Sequence, residues 1–180
     1  MATGVWTNNW QALRNTMLLG GIYPGLNTIT NTDGSTVSAS TAPYFAASPM
    51  GAYALSQQAM WRKATIRLGT GTNVPAAGDY TIAEAANLGY LSIGSIAPEF
   101  DTNTHTMTRT VTLTVQYNGT GTITLTEWGL FGCPGSKTGN SINGNNVLIY
   151  RELFDTPVVL SQYQAAALEV NLSMTLSNPL

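Results

Sequence analysis

The chain has 180 residues, 43% hydrophobic and only 9% charged, with a net charge of −2, so one domain, or one domain plus an arm, can bury a real core and intrinsic disorder is excluded. The seven basic residues are scattered, with only Arg62 and Lys63 adjacent, which excludes nucleic acid as the main partner, because phosphate binding needs a basic stripe. No apolar run approaches the ~18 residues of a membrane-spanning helix.

Residues 5 to 19, "VWTNNWQALRNTMLL", set Trp6, Trp10, Leu13 and Met17 at spacings of four, three and four. That is one stripe of a helix, ended by Gly20-Gly21 and Pro24. It suits a helix covering the open side of a sheet, or a docking arm whose tryptophans anchor in a neighbouring subunit. Residues 24 to 50 are rich in Ser, Thr, Gly, Ala and Pro, and "TDGST" within them has the composition of a tight hairpin tip. Residues 51 to 63 read as a short helical stretch. Residues 1 to 63 are thus expected as a helix and irregular arm for attachment or oligomerisation, ahead of a β domain over 64 to 180.

From residue 64 the signal is β. "ATIRLGTG", "LGYLSIGSI", "THTMTRTVTLTVQY", "TITLTEWGLF", "NVLIYRELF" and "LEVNLSMTL" read as six strands between turn-rich segments, among them the 14-residue loop 133 to 146. Six strands with few helical crossovers predict a mainly β chain, an antiparallel β-sandwich with an N-terminal helix or arm.

The stretch "VTLTVQYNGTGTITLTEWGLFG" (111 to 132) reads as one hairpin, with apolar residues alternating with Thr and Gln on both sides of an Asn-Gly turn. Same-face pairing then requires an odd loop and sets Leu113 opposite Leu125, Val111 opposite Glu127 and Arg109 opposite Gly129. Glu127 falls where an inward apolar residue belongs, with Arg109 on its diagonal. Arg151, on one face of "VLIYRELF" with Ile149 and Leu153, competes for the same carboxylate. A half-buried Glu costs several kcal/mol unpaired, and one arginine fork offsets most of this. A structural pair of Glu127 with Arg151 or Arg109 is expected.

Catalysis finds little to stand on. His105 is the only histidine and sits among threonines at a strand start. Cys133 is the only cysteine, which rules out an internal disulfide and a cysteine-based zinc site, and no His or Lys beside it would activate its thiol. "GTGT" at 69 and 119 lacks the Lys and helix of a phosphate loop. Glu99 and Asp101 are the one carboxylate pair at glycosidase-like spacing. No enzymatic activity, cofactor or metal site is expected. The start "MATGVWTNNW" has no basic or apolar signal region, so the chain is expected to fold in a reducing cytoplasm, and its two Asn-x-Ser/Thr sequons to stay bare.

"IRLGTGTNVPAAGDYTI", then "TLTEWGLFG", then "VLIYRELFDTPVVLSQYQAAALEVNLSMTL" together resemble accessory virion proteins of tailed bacteriophages. Those carry a strand ending in Gly-x-Gly, a loop with Pro and Asp, a "T-E-x-G-L-[FY]" strand and a "[LI]-x-x-R" strand, and close on a strand after a "TPV-x-L" phrase. The resemblance spans about residues 64 to 177. It implies a β-sandwich module that attaches to a capsid, a portal or neck, or a tail and forms oligomers, with Glu127 and Arg151 at the matching positions. The resulting expectation is a non-enzymatic virion component, assembled in the bacterial host cytoplasm from its own copies and other virion proteins, with Trp6 and Trp10 in the arm contact. The alternative is a carbohydrate-binding module using Trp128, Tyr150 and the Asn-rich loop 140 to 146.

Overall fold

The computed structural model describes residues 4–19, 28–38, 65–94, 98–132 and 147–175. The 51–63 stretch, Cys133, the 133–146 loop and the side chains of Leu13 and Met17 lie outside the described residues. The chain is mainly β, with antiparallel sheets and a short N-terminal helix, the class its alternating sequence predicts. No described helix is long and apolar enough to cross a membrane.

Among the described residues, ten strands and one helix follow in order: β1 (Val5–Trp6), α1 (Asn8–Leu19), β2 (Thr28–Thr30), β3 (Thr36–Ser38), β4 (Thr65–Gly69), β5 (Tyr90–Ile93), β6 (Pro98–Asp101), β7 (Thr106–Gln116), β8 (Thr122–Gly132), β9 (Val147–Ser161) and β10 (Ala165–Thr175). They fall into two compact units, Met1–Ala86 with Leu125–Val158, and Asn87–Thr124 with Val159–Leu180. That division differs from the expected boundary at residue 63.

In the first unit the sheet order is β1-β9-β8-β4. Its core includes Ile66, Leu68, Ile82, Leu125, Trp128, Phe131, Leu148 and Ile149, all buried. β8 is buried continuously from Glu127 to Gly132, and β9 from Val147 to Arg151. A strand buried on both faces loses its alternation there, which explains the apolar run "VLIY". The β2–β3 hairpin turns at "TDGST" as expected, with Gly34 at φ 83° and Asp33 Oδ1 accepting from the Ser35 N–H and hydroxyl.

The stripe of residues 5 to 19 is only partly helical. Val5 and Trp6 pair with Arg151 and Tyr150 as a short strand, and the helix begins after Thr7, whose carbonyl accepts the Trp10 N–H. The Thr7 N–H and hydroxyl both bond the β9 backbone, so tertiary pairing overrides the helical spacing at Trp6. Asn9, 2% exposed, binds Thr30 through both its amide nitrogen and its oxygen, and reaches the Leu148 carbonyl.

The second unit carries the sheet β10-β7-β5, with β6 also on β7. The expected 111–132 hairpin is not formed. β7 pairs over its whole length with β10, setting Val111 opposite Val170 and Leu113 opposite Leu168, while β8 belongs to the other sheet. Alternation marks which face of a strand is buried but does not name its neighbour. Here the longer ladder to β10 wins over the local turn. Arg109 accordingly lies beside Leu172 and Pro98, exposed, and does not meet Glu127. His105 occupies the β6–β7 turn at φ 51° and not a strand start.

Candidate functional site: a buried carboxylate–guanidinium centre

All parts of this centre belong to the first unit. β4 and β8 pair so that Gly69 stands opposite Glu127. The Glu127 side chain lies over that glycine. A Cβ on Gly69 would come within 2.5 Å of Glu127 Oε1 and of the Glu84 carbonyl, and one on Gly71 within 2.5 Å of Glu127 Oε1. Only residues without side chains leave room for the carboxylate, which is why this strand leaves through Gly-Thr-Gly.

Glu127 is fully buried, and five donors converge on it. Oε1 accepts from the N–H of Gly71 (3.1 Å) and of Glu84 (2.9 Å). Oε2 accepts from the N–H of Ala83 (3.2 Å) and from Arg151 Nε (2.8 Å), with Arg151 Nη2 at 2.7 Å. Arg151, 2% exposed, also reaches Asp79 Oδ2 through Nη1 (2.7 Å) and the Asn73 carbonyl through Nη2 (3.0 Å). Asp79 in turn accepts the Ala76 N–H, and the Thr126 hydroxyl bonds the Gly71 carbonyl.

These bonds wrap residues 70 to 86 around the Glu127–Arg151 pair, with Asp79 of the loop itself as the guanidinium's second carboxylate. The loop is closed at its base by the Thr70 N–H to Glu84 and the Ala86 N–H to Leu68, and Ile82 packs on Phe131 and Leu148. Burial works against the Arg151 charge, but hydrogen bonds and negative charge from Asp79 and Glu127 outweigh it and hold the guanidinium pKa above its ordinary value. A carboxylate with its lone pairs committed to five fixed donors is poorly placed to shuttle a proton. Chemically the centre is a clasp.

The other face of the same strands carries a row of rings. Trp10 meets Trp6 at a tilt (5.2 Å between centroids), Trp6 meets Tyr150 edge-to-face (5.0 Å) and Tyr150 meets Trp128 at a tilt (5.2 Å). Trp6 and Trp10 are half-buried against their own chain. Trp128 and Tyr150 are 2% and 5% exposed, so as glycan contacts they are ruled out: a sugar ring would have no surface to lie on. The Tyr150 hydroxyl donates to Glu152 (3.0 Å). Burial, and then the Glu152 charge, push the Tyr150 pKa up, while burial and the Asp155 charge raise that of Glu152 against the lowering effect of the Tyr150 hydrogen bond.

Glu99 and Asp101 are exposed on β6. The Asn103 N–H and the Thr104 hydroxyl hold the Asp101 carboxyl below its usual range, the wrong direction for a general acid.

Sequence reasoning brings Glu127 to Arg151 but misses Asp79, Asn73 and the three backbone donors. These sit in a loop without periodicity. The usable signal was the Gly69-x-Gly71 spacing, which marks a close approach. Comparison with protein-family models, with curated proteins and with solved structures finds no match to this chain.

Proposed function

We propose that this chain is a non-enzymatic structural component of a tailed-bacteriophage virion, assembling with its own copies and with capsid, neck or tail proteins. One observation carries the reading: four of the five motifs behind the resemblance converge on the clasp, and the fifth, the "TPV-x-L" phrase, lies further along β9. Gly69 and Gly71 admit the carboxylate, the loop with Pro75 supplies Asp79, Thr126 and Glu127 come from the "T-E-x-G-L" strand, and Arg151 comes from the next. Gly129 of the same motif leaves space for Ile82 and Leu148. A motif set devoted to fastening a loop onto a sheet suits a scaffold. The weakly charged surface suits packing against many identical neighbours, with little contact energy in ion pairs. The carbohydrate-binding alternative has no aromatic platform left among the residues it named.

Native mass spectrometry of the purified protein, with peptide mass spectrometry of gradient-purified particles from the host carrying the gene, tests this. The expected result is a discrete oligomer and a fixed copy number per particle. A monomer at every concentration, absent from particles, overturns it.

A further inference from the structure

β10 is the terminal strand of its sheet, eleven residues long, and no other described strand pairs with its outer edge. The remaining edges are short or covered. β1 has two residues, β5 and β6 four each, and β4 is crossed at its Gly69 end by Ala85. Long edges are normally blunted by Lys, Pro or a bulge. β10 has neither residue, its register with β7 is unbroken, and its single charge is Glu169.

Which backbone groups face outward follows from the ladder. The Gly94 N–H bonds the Thr112 carbonyl, so even-numbered residues of β7 point toward β5 and odd-numbered ones toward β10. Val111 opposes Val170, so the even residues of β10 are bonded to β7. Ala167, Glu169 and Asn171 therefore turn their N–H and C=O to the outer edge. Around Val170 the strand is close to self-complementary: Leu168 and Leu172 flank it on one face, Glu169 and Asn171 on the other.

We infer that β10 pairs antiparallel with β10 of a second copy of this chain, about a two-fold axis at Val170, joining two sheets into one. This rests on the self-assembly reading above. Centring on Val170 sets Leu168 opposite Leu172 of the partner subunit, and Glu169 opposite Asn171 of the partner subunit. The Asn171 Oδ1 already accepts from the Thr110 hydroxyl at 2.7 Å, which leaves its Nδ2 to donate to the facing carboxylate, twice over by symmetry. Centring on Glu169 would oppose two carboxylates. Any register centred between residues would oppose the apolar face to the polar one.

Analytical ultracentrifugation of three full-length proteins tests the pairing. Asn171→Glu sets a carboxylate against Glu169 and should weaken self-association roughly tenfold or more. Adding Glu169→Lys should restore it. Both positions are exposed, so melting curves should stay close to wild type. Intact assembly in Asn171→Glu overturns the β10 pairing while the assembly reading stands. A double variant as weak as the single one overturns the register and the inference with it. A monomeric wild type overturns the β10 pairing, and overturns the assembly reading too where the protein is also absent from particles.

Discussion

Glu127 and Arg151 form an ion pair that differs from an ordinary buried one in what else depends on it. Replacing a whole buried pair with apolar residues is often close to neutral. Here the carboxylate also satisfies the N–H groups of Gly71, Ala83 and Glu84. Arg151→Met should cost about 3 kcal/mol, and Glu127→Leu about 5 kcal/mol, since three backbone donors lose their acceptor as well. The double variant should recover little of this in urea unfolding. Recovery to near wild type would show that the backbone bonds carry no weight. Glu152 gives the opposite sign. Its folded pKa lies above the unfolded one, so its stabilising contribution is complete below the unfolded value and is lost as pH rises through the folded value. Glu152→Gln keeps an acceptor for the Tyr150 hydroxyl. It should therefore melt higher than wild type at pH 7, the gap closing below about pH 4. Among these residues, Glu127 and Arg151 were legible because an inward charge in an alternating strand stands out against its neighbours. Asp79 was not, because a loop carboxylate looks the same whether it points to water or to a guanidinium.

At the level of elements, the end of β4 and the 70–86 loop depend on glycine at two places and not at a third. A methyl group at Gly69 or Gly71 meets the carboxylate, whereas one at Gly78 meets nothing within 4 Å. Gly69→Ala and Gly71→Ala should each cost about 2 kcal/mol or more by displacing Glu127, with Gly78→Ala within about 0.5 kcal/mol of wild type. Equal effects at all three positions, read from denaturant midpoints, would detach the glycines from the clasp. Strand existence was readable at this level and strand partnership was not. The "TDGST" tip was found because its turn joins the two short strands beside it. The Asn118-Gly119 turn looked equally good, yet the Tyr117 N–H bonds the Gln164 carbonyl and the Tyr163 N–H returns to Tyr117. Those residues tie β7 to the chain entering β10. Local composition carries no trace of a partner some fifty residues away.

For the molecule as a whole, the low charge has a structural counterpart. The wet face of β7 is a row of threonines, and it is knitted to β10 by hydroxyl and amide contacts, Thr108 to Ser173 at 3.3 Å and Thr110 to Asn171 at 2.7 Å. The second unit is also made of two separated stretches of chain, with no shift in composition at their borders, so its outline could not be drawn from the sequence. The clasp has a temporal consequence. The groups that fasten residues 71 to 84 are made 43 to 78 positions later. At a translation pace of about 5–20 residues per second, Arg151 leaves the peptidyl-transferase centre roughly 4 to 16 seconds after Asn73. A nascent chain therefore carries this segment unfastened for seconds, open to proteases and chaperones, until a late guanidinium arrives to lock an early loop.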